Sequence, residues 1–261
     1  MGMPRLADGT TFVPPSADDF KFPPIFGDVT KPMVLVVLSI IIVSVFFLLA
    51  SRKMKIVPTK FQFAAESLYD FSRNNIARDQ IGGKDFRPFI PLVLALFSFT
   101  LVNNIFGVIP ILQFPTLSHF GFPIALSVLV VYPVYHIAGI RRHGLGGYFK
   151  HQLFPPGLPK PVYLLLSPIE FFLKFFMDPI TLAIRVFAAM FAGHLILLVF
   201  TVGGEYLLIE AGSWALKPVG IFSFVVAIAM TFLEAFIQVL QAYIFALISA
   251  GYIGTAVASE H

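Results

Sequence analysis

Long, nearly unbroken apolar runs alternate with short polar stretches along this chain. The first run, Met33 to Ala50, is aliphatic and Phe-rich and stops at Ser51-Arg-Lys-Met-Lys55. Its length suits one helix across a bilayer, which takes about 20 apolar residues. A second run, about Pro88 to Leu112, holds Asn103 and Asn104 and ends near Pro110, and a third covers about Phe122 to Ile140. Between the first two lies a different pattern. From Pro58 to Arg78 the apolar residues Phe61, Ala64, Ala65, Leu68, Phe71 and Ile76 recur at helical spacing, with Lys60, Glu66, Asp70 and Arg73 elsewhere. That spacing predicts an amphipathic helix on or just below the membrane surface.

The last two apolar stretches, about Pro161 to Val202 and Trp214 to Ala258, are longer than a bilayer needs. A helix of forty-odd residues would be about 60–65 Å long at 1.5 Å per residue. The hydrocarbon core is about 30 Å thick. Each stretch therefore either breaks or tilts steeply. Asp178-Pro179 offers one natural break, with Asp as cap and Pro at the first helical position. The second stretch has no Pro after Pro218, which favours one long tilted helix. The expected arrangement is a tilted hairpin joined at Gly203-Gly204 through Lys217. The predicted fold is an all-α membrane protein of about five crossing helices and one amphipathic surface helix. Its expected parts are a polar arm over 1–32, a membrane helix over 33–51, and a cytoplasmic segment over 52–87. A two-helix membrane hairpin over 88–141, a cytoplasmic loop over 142–160 and the long hairpin over 161–261 complete it.

Composition agrees with a membrane location. Hydrophobic residues make up 57% and charged residues 12% of the chain, against roughly a quarter charged in ordinary soluble domains. The first 31 residues carry scattered Asp and, with Pro32, six Pro. They lack the apolar core of a cleaved signal peptide. Loop charge predicts orientation. Residues 51–88 carry eight Lys/Arg and 141–160 carry four, while 112–122 carry none and 203–217 only Lys217. The positive-inside rule then places the first two loops in the cytoplasm, with the N-terminus outside and the C-terminus inside. The net charge of +4 sits in these short loops, which argues against a nucleic-acid partner and for contact with membrane lipid. The chain has no Cys, so disulfides, thiolate metal sites and a cysteine nucleophile are excluded. No cofactor or metal is expected.

Against this background Arg185 is the most informative residue. Within Ile180 to Phe200 its polar companions are Thr181 and His194. A guanidinium keeps its charge in proteins, and at a membrane helix centre it costs about 2.5–3.5 kcal/mol on insertion scales. Intramembrane charge marks ion handling by default. In a continuous helix Asp178, Thr181 and Arg185 share one face, while His194, nine residues on, lies half a turn round. Glu170 stands more than a turn deeper toward the cytoplasmic end. Asp178 reads equally as a helix cap or as part of the site. Glu234, Gln238 and Gln241 are spaced four and three apart and line one face of the last helix. A carboxylate there is costly unless hydrated, paired or protonated. The antiparallel hairpin lets His194 and Glu234 reach one cavity on the outer side. Plainer readings suit other residues. His136 is a hydrogen-bonded packing residue, His119 a loop residue, Lys174 a snorkelling side chain, Gln238 interhelical glue, and Glu66 and Asp70 a solvated face.

The run Pro179-Ile-Thr-Leu-Ala-Ile-Arg185-Val-Phe-Ala-Ala-Met-Phe-Ala-Gly-His194-Leu, with Gln241-Ala-Tyr-Ile-Phe245, resembles subunit a of F-type ATP synthases of the bacterial type. The resemblance covers essentially the whole chain, and Asn103-Asn104 ahead of Pro110 resembles the family's asparagine-bearing second span. It implies two long tilted helices wrapping a rotor ring of c subunits, a b-type peripheral-stalk partner, a bacterial plasma membrane and H+ as the transported ion. It implies no ATP site in this chain. Arg185 would be the stator arginine facing the ring's carboxylate, with Gln241 its neighbour across the hairpin. His194 and Glu234 would be the polar pair of the proton-entry half-channel, and Asn104 a further polar residue there. Glu170 lies one residue off the acidic position of the cytoplasmic half-channel. The sequence departs from the family where Ala189 stands in place of the usual Asn and Gly107 in place of an acid sometimes found there. The hydrogen bonding of that Asn would be absent here or moved to another group, Gln238 or water.

Two other classes compete. A stand-alone secondary transporter would move substrate as a purified chain in liposomes, and the chain shows no internal repeat. A haem-bearing respiratory subunit would show a haem absorption spectrum, yet the six His include no pair spaced for facing helices.

Overall fold

The computed structural model describes residues 14–16, 27–52, 54–109, 112, 114, 116–154, 160–209 and 214–258, with the side chains of 160 and 161 not described. The described part is 87% helical and contains no sheet, so the all-α expectation holds. Most of the arm expected over 1–32, Pro110 and the residues linking the last two helices lie outside it. Among the described residues, five helices are long and apolar enough to cross a membrane: Lys31–Ser51, Arg87–Ile105, Gly121–Leu153, Val162–Ile209 and Trp214–Val257.

Helix α1 (Lys31–Ser51) is apolar all round and most of its side chains face outward, as lipid permits. It is tied to α4 (Ile90–Ile105) at one polar point, where Asn103 Nδ2 donates to the Ser39 hydroxyl at 2.8 Å. The amphipathic segment forms α2 (Lys60–Asp70), a π-helical stretch Phe71–Arg78 and a short α3 (Asp79–Ile81). Thr59 caps it by accepting from the Gln62 N–H at 3.3 Å. Gly82 ends it at φ 98°, a conformation that glycine adopts without strain. Glu66 and Asp70 are exposed, and Glu66 accepts from Gln62 Nε2 at 2.7 Å. The segment does more than lie on a surface. Ile76, Ala77 and Ile81 are buried with Val93 of α4 and with Ala246 and Ile253 of the last helix, α9 (Lys217–Val257).

Three expected boundaries differ. The third span does not stop at Ile140: α5 (Gly121–Ala125), a π-helical stretch Leu126–Val131 and α6 (Tyr132–Leu153) run on through a kink at Gly144, φ 72°. Helix therefore occupies much of the loop expected over 142–160. Packing supplies the reason. The kink turns the chain back so that Tyr148 is buried, its hydroxyl 2.6 Å from His136 Nδ1. Asp178-Pro179 does not break the next span. α7 (Lys160–Phe172), a π-helical stretch Leu173–Met177 and α8 (Asp178–Ile209) form one run. The widened π turn takes up the missing N–H and the ring of Pro179, and a π stretch precedes Pro133 in the same way. Gly203-Gly204 is not the turn either, because α8 continues to Ile209.

Helices α8 and α9 (Lys217–Val257) make the most extensive pairing in the molecule. Glycine enables it. A Cβ on Gly220 would lie 2.7 Å from Leu208 and 3.1 Å from the Gly204 carbonyl, and one on Gly204 would lie 3.2 Å from Phe224. Small residues allow such close approach between membrane helices. Gly220→Val is expected to cost about 1–3 kcal/mol through overpacking. The measurement is a lower temperature for loss of helical circular dichroism in the solubilised subunit.

Candidate functional site

Helix α8 has two unlike faces. Thr181, Arg185, Ala188 and Ala192 follow one another at helical spacing and all are exposed. Among the described residues Arg185 forms no ion pair with any carboxylate. Leu182, Val186, Met190 and His194 form the opposite, buried face. The half-turn offset between Arg185 and His194 thus separates a charge held outward from an imidazole held inward.

The buried side meets α9 and α4. His194 Nδ1 lies 3.8 Å from Glu234 Oε1, and both side chains are enclosed, at 10% and 5% exposure. Gln238, one turn along α9, donates from Nε2 to the same Oε1 at 3.1 Å. Asn104 of α4 donates from Nδ2 to the Gln238 carbonyl at 2.9 Å. Gly193 leaves space for this knot, since a Cβ there would already touch Glu234 Cγ at 3.5 Å. Gln241 is buried one turn deeper on the same face. Sequence spacing therefore located the α9 seam, and the structure brings His194, Glu234, Gln238 and Asn104 into one cluster. Arg185 lies on the other side of α8.

The cluster is under-satisfied. Asn104 Oδ1, Glu234 Oε2, Gln238 Oε1 and Gln241 Nε2 are buried without a hydrogen-bond partner among the described residues. Each such group costs about 1–3 kcal/mol if left dry. Four of them in one seam make a polar, water-demanding track through an otherwise apolar bundle.

Glu170 and Asp178 belong elsewhere. Glu170 pairs with Lys174 at 3.3 Å, and Lys174 Nζ also donates to the Gln152 carbonyl at 2.8 Å. Lys174 is thus a cross-link between α6 and the α7–α8 run, where a snorkelling side chain was expected. The Tyr132 hydroxyl donates to the Lys174 carbonyl beside it. Asp178 is half-buried inside the continuous helix, so it is not a cap. His136 is a packing residue, held edge-on to Tyr132 and stacked on Phe175. His119 sits in the α4–α5 loop against Phe114, where burial lowers its pKa. Residues that spacing alone did not single out include Ser39, Thr100, Thr116 and Ser118, all buried hydroxyls. The available signal was a Ser or Thr inside an apolar run.

Fold and site together define a multi-span helical membrane protein with a buried acid–imidazole track behind an outward-facing arginine. Comparison with known proteins names the class. Residues 33–254 match the family model described as ATP synthase A chain. The chain is 46% identical to ATP synthase subunit a of a Nocardioides species, covering 98% of this chain and 97% of that protein. It is 43% identical to the subunit a of Pseudarthrobacter chlorophenolicus (97% and 96% covered) and 39% identical to that of Streptomyces lividans (98% and 92%). The chain belongs to the ATP synthase subunit a family, a component of the membrane sector of the complex.

Proposed function

We propose that this chain is the stator of the proton path in a rotary ATP synthase, supplying two offset half-channels and the arginine between them. It would work against a ring of c subunits, held by a b-type peripheral stalk, with its N-terminus outside and its C-terminus in the cytoplasm. The observation that carries this reading is the pairing of two features on one helix. The exposed Arg185 has no carboxylate partner among the described residues, and a buried track of partnerless polar atoms lies behind it. The lengths of the last two spans, 48 and 44 residues, support steep tilt, since each exceeds a bilayer core about twofold.

The mechanism follows from electrostatics. A path straight through would discharge the gradient. A permanent cation at the midpoint repels an excess proton and attracts a carboxylate. A ring carboxyl arrives neutral from lipid, where its ionised form is very costly. Beside Arg185 the charged form is favoured and the proton leaves. The carboxylate is reprotonated from the other half-channel before it returns to lipid. Each charge moved through 100 mV supplies about 2.3 kcal/mol, which rotation carries away. His194 and Glu234 feed the outer half-channel, an imidazole being able both to take and to give a proton, with Asn104, Gln238 and Gln241 lining it. Glu170 and Asp178 serve the cytoplasmic half-channel.

ATP-driven proton pumping in inverted membrane vesicles tests this. Arg185→Ala is expected to abolish pumping while assembly persists. Pumping at the unmodified rate would reduce the chain to a structural subunit.

A further inference from the structure

The polar seam between α4 and α9 continues inward past the residues used above. The bond from Asn104 Nδ2 to the Gln238 carbonyl sets the register of two antiparallel helices. Each step back along α4 lies opposite an equal step forward along α9. Two apolar clusters are compatible with this register: Leu96 belongs to one with Phe245, and Val93 to the other with Ala246 and Ala250. Four residues back from Asn104 is Thr100, which therefore lies opposite Ala242 and beside Gln241.

Thr100 is completely buried, at 0% exposure, and its Oγ1 has no hydrogen-bond partner among the described residues. A helical threonine ordinarily turns its hydroxyl back onto the preceding turn. Thr201 and Thr231 do so here, donating to Leu197 O at 2.7 Å and Ala227 O at 2.9 Å. Thr100 does not. Gln241 Nε2 is also buried and has no hydrogen-bond partner among the described residues. Ala242, also 0% exposed, is a small residue that adds no polar atom of its own between Thr100 and Gln241. One turn further in along both helices, Leu96 and Phe245 belong to an apolar cluster that also holds Leu182 and Val186 of α8. Leu182 and Val186 flank Arg185 along α8.

We infer that Thr100 and Gln241 form the innermost station of the outer path, and that the Thr100 hydroxyl is a positioning residue. It holds, with Gln241, the water that takes a proton from the His194–Glu234–Asn104 group and delivers it at the depth of Arg185. The apolar cluster beneath then forces the proton sideways to the arginine face, since it offers no further polar group. This rests on the reading of the outer half-channel given above.

The test uses the assembled complex in inverted vesicles, with pumping scored per assembled complex. Thr100→Val keeps the shape and removes the hydroxyl; Thr100→Ser keeps the hydroxyl. The expected result is a fall of about tenfold in pumping for Thr100→Val, the size of one lost hydrogen bond. Thr100→Ser should stay within about twofold of the unmodified protein. The amount of assembled Thr100→Val subunit should be unchanged or raised, because a buried unpaired hydroxyl is exchanged for a methyl group. If Thr100→Val assembles poorly, Thr100→Ala is scored in its place, since it cannot clash. Normal pumping without the hydroxyl, or an equal loss in Thr100→Ser, overturns the inference. His194→Ala is run beside them. If it stops pumping while Thr100→Val pumps normally, only the role of Thr100 falls. If His194→Ala itself pumps normally, the outer path is misplaced and this inference falls with it.

Discussion

Arg185→Lys is expected to abolish ATP-driven proton pumping even though it keeps a basic residue in place. The reasoning starts from the position of the side chain. It lies on the outward face of α8 between Thr181 and Ala188, with Ile184 at 47% exposure and Ile196 at 45% on the same side. Such a face gives little water to a charge once it is covered. A lysine there shifts its pKa readily and can lose its proton, whereas a guanidinium stays charged and spreads that charge over a planar fork. Both properties matter if a carboxylate must be discharged and released many times a second. A neutral amine would let the carboxyl pass still protonated, and an ammonium lacks the planar fork that meets a carboxylate with two N–H groups at once. The expected loss is at least about 100-fold in pumping, equivalent to about 2.7 kcal/mol of barrier. ATP hydrolysis by the detached catalytic sector and the amount of assembled subunit should be unchanged. Pumping by the lysine variant within about twofold of the unmodified rate would show that a positive charge suffices, and would overturn the need for the guanidinium itself.

The legibility of this molecule divides by the distance over which each signal acts. The Met33 to Ala50 run admitted one reading, since nothing in it is polar enough to face water, and α1 spans Lys31–Ser51. The spacing of Glu234, Gln238 and Gln241 was equally local, and all three are buried on one face of α9. Signals that depend on neighbours misled. Gly203-Gly204 looks like a turn in isolation, but Gly204 lies within α8 at a point where α9 packs tightly against it. Gly144, Gly146 and Gly147 look like a loop, yet the burial of Tyr148 against His136 keeps that segment helical. Asp178-Pro179 looks like a break because a proline's demand on the previous turn is visible in sequence and the π widening that meets it is not. The site shows the same limit. The placing of His194 opposite Arg185 is arithmetic along one helix. The bond from Asn104 to the Gln238 carbonyl depends on the register between α4 and α9, which no single run of residues encodes.

A second large effect is expected where the His194–Glu234 pair is taken apart and then exchanged. His194→Glu alone sets two carboxyl groups against each other in an enclosed site, and like charges at that range cannot both ionise. Glu234→His alone leaves two imidazoles and removes the acceptor that Gln238 Nε2 uses at 3.1 Å. Each single change is expected to lower ATP-driven pumping by about tenfold or more. In the double variant an acid again faces an imidazole across the same α8–α9 gap, now 3.8 Å from Nδ1 to Oε1. The Gln238 amide can turn, since either its oxygen or its nitrogen can face the new group. Pumping by the double variant is therefore expected to exceed that of both single variants. The double-mutant cycle should give a coupling of about 1–3 kcal/mol, the range for residues in one network. Losses that simply add would mean that His194 and Glu234 act independently. The proton would then have to enter along one of the two without the other, which the shared burial of both side chains makes costly.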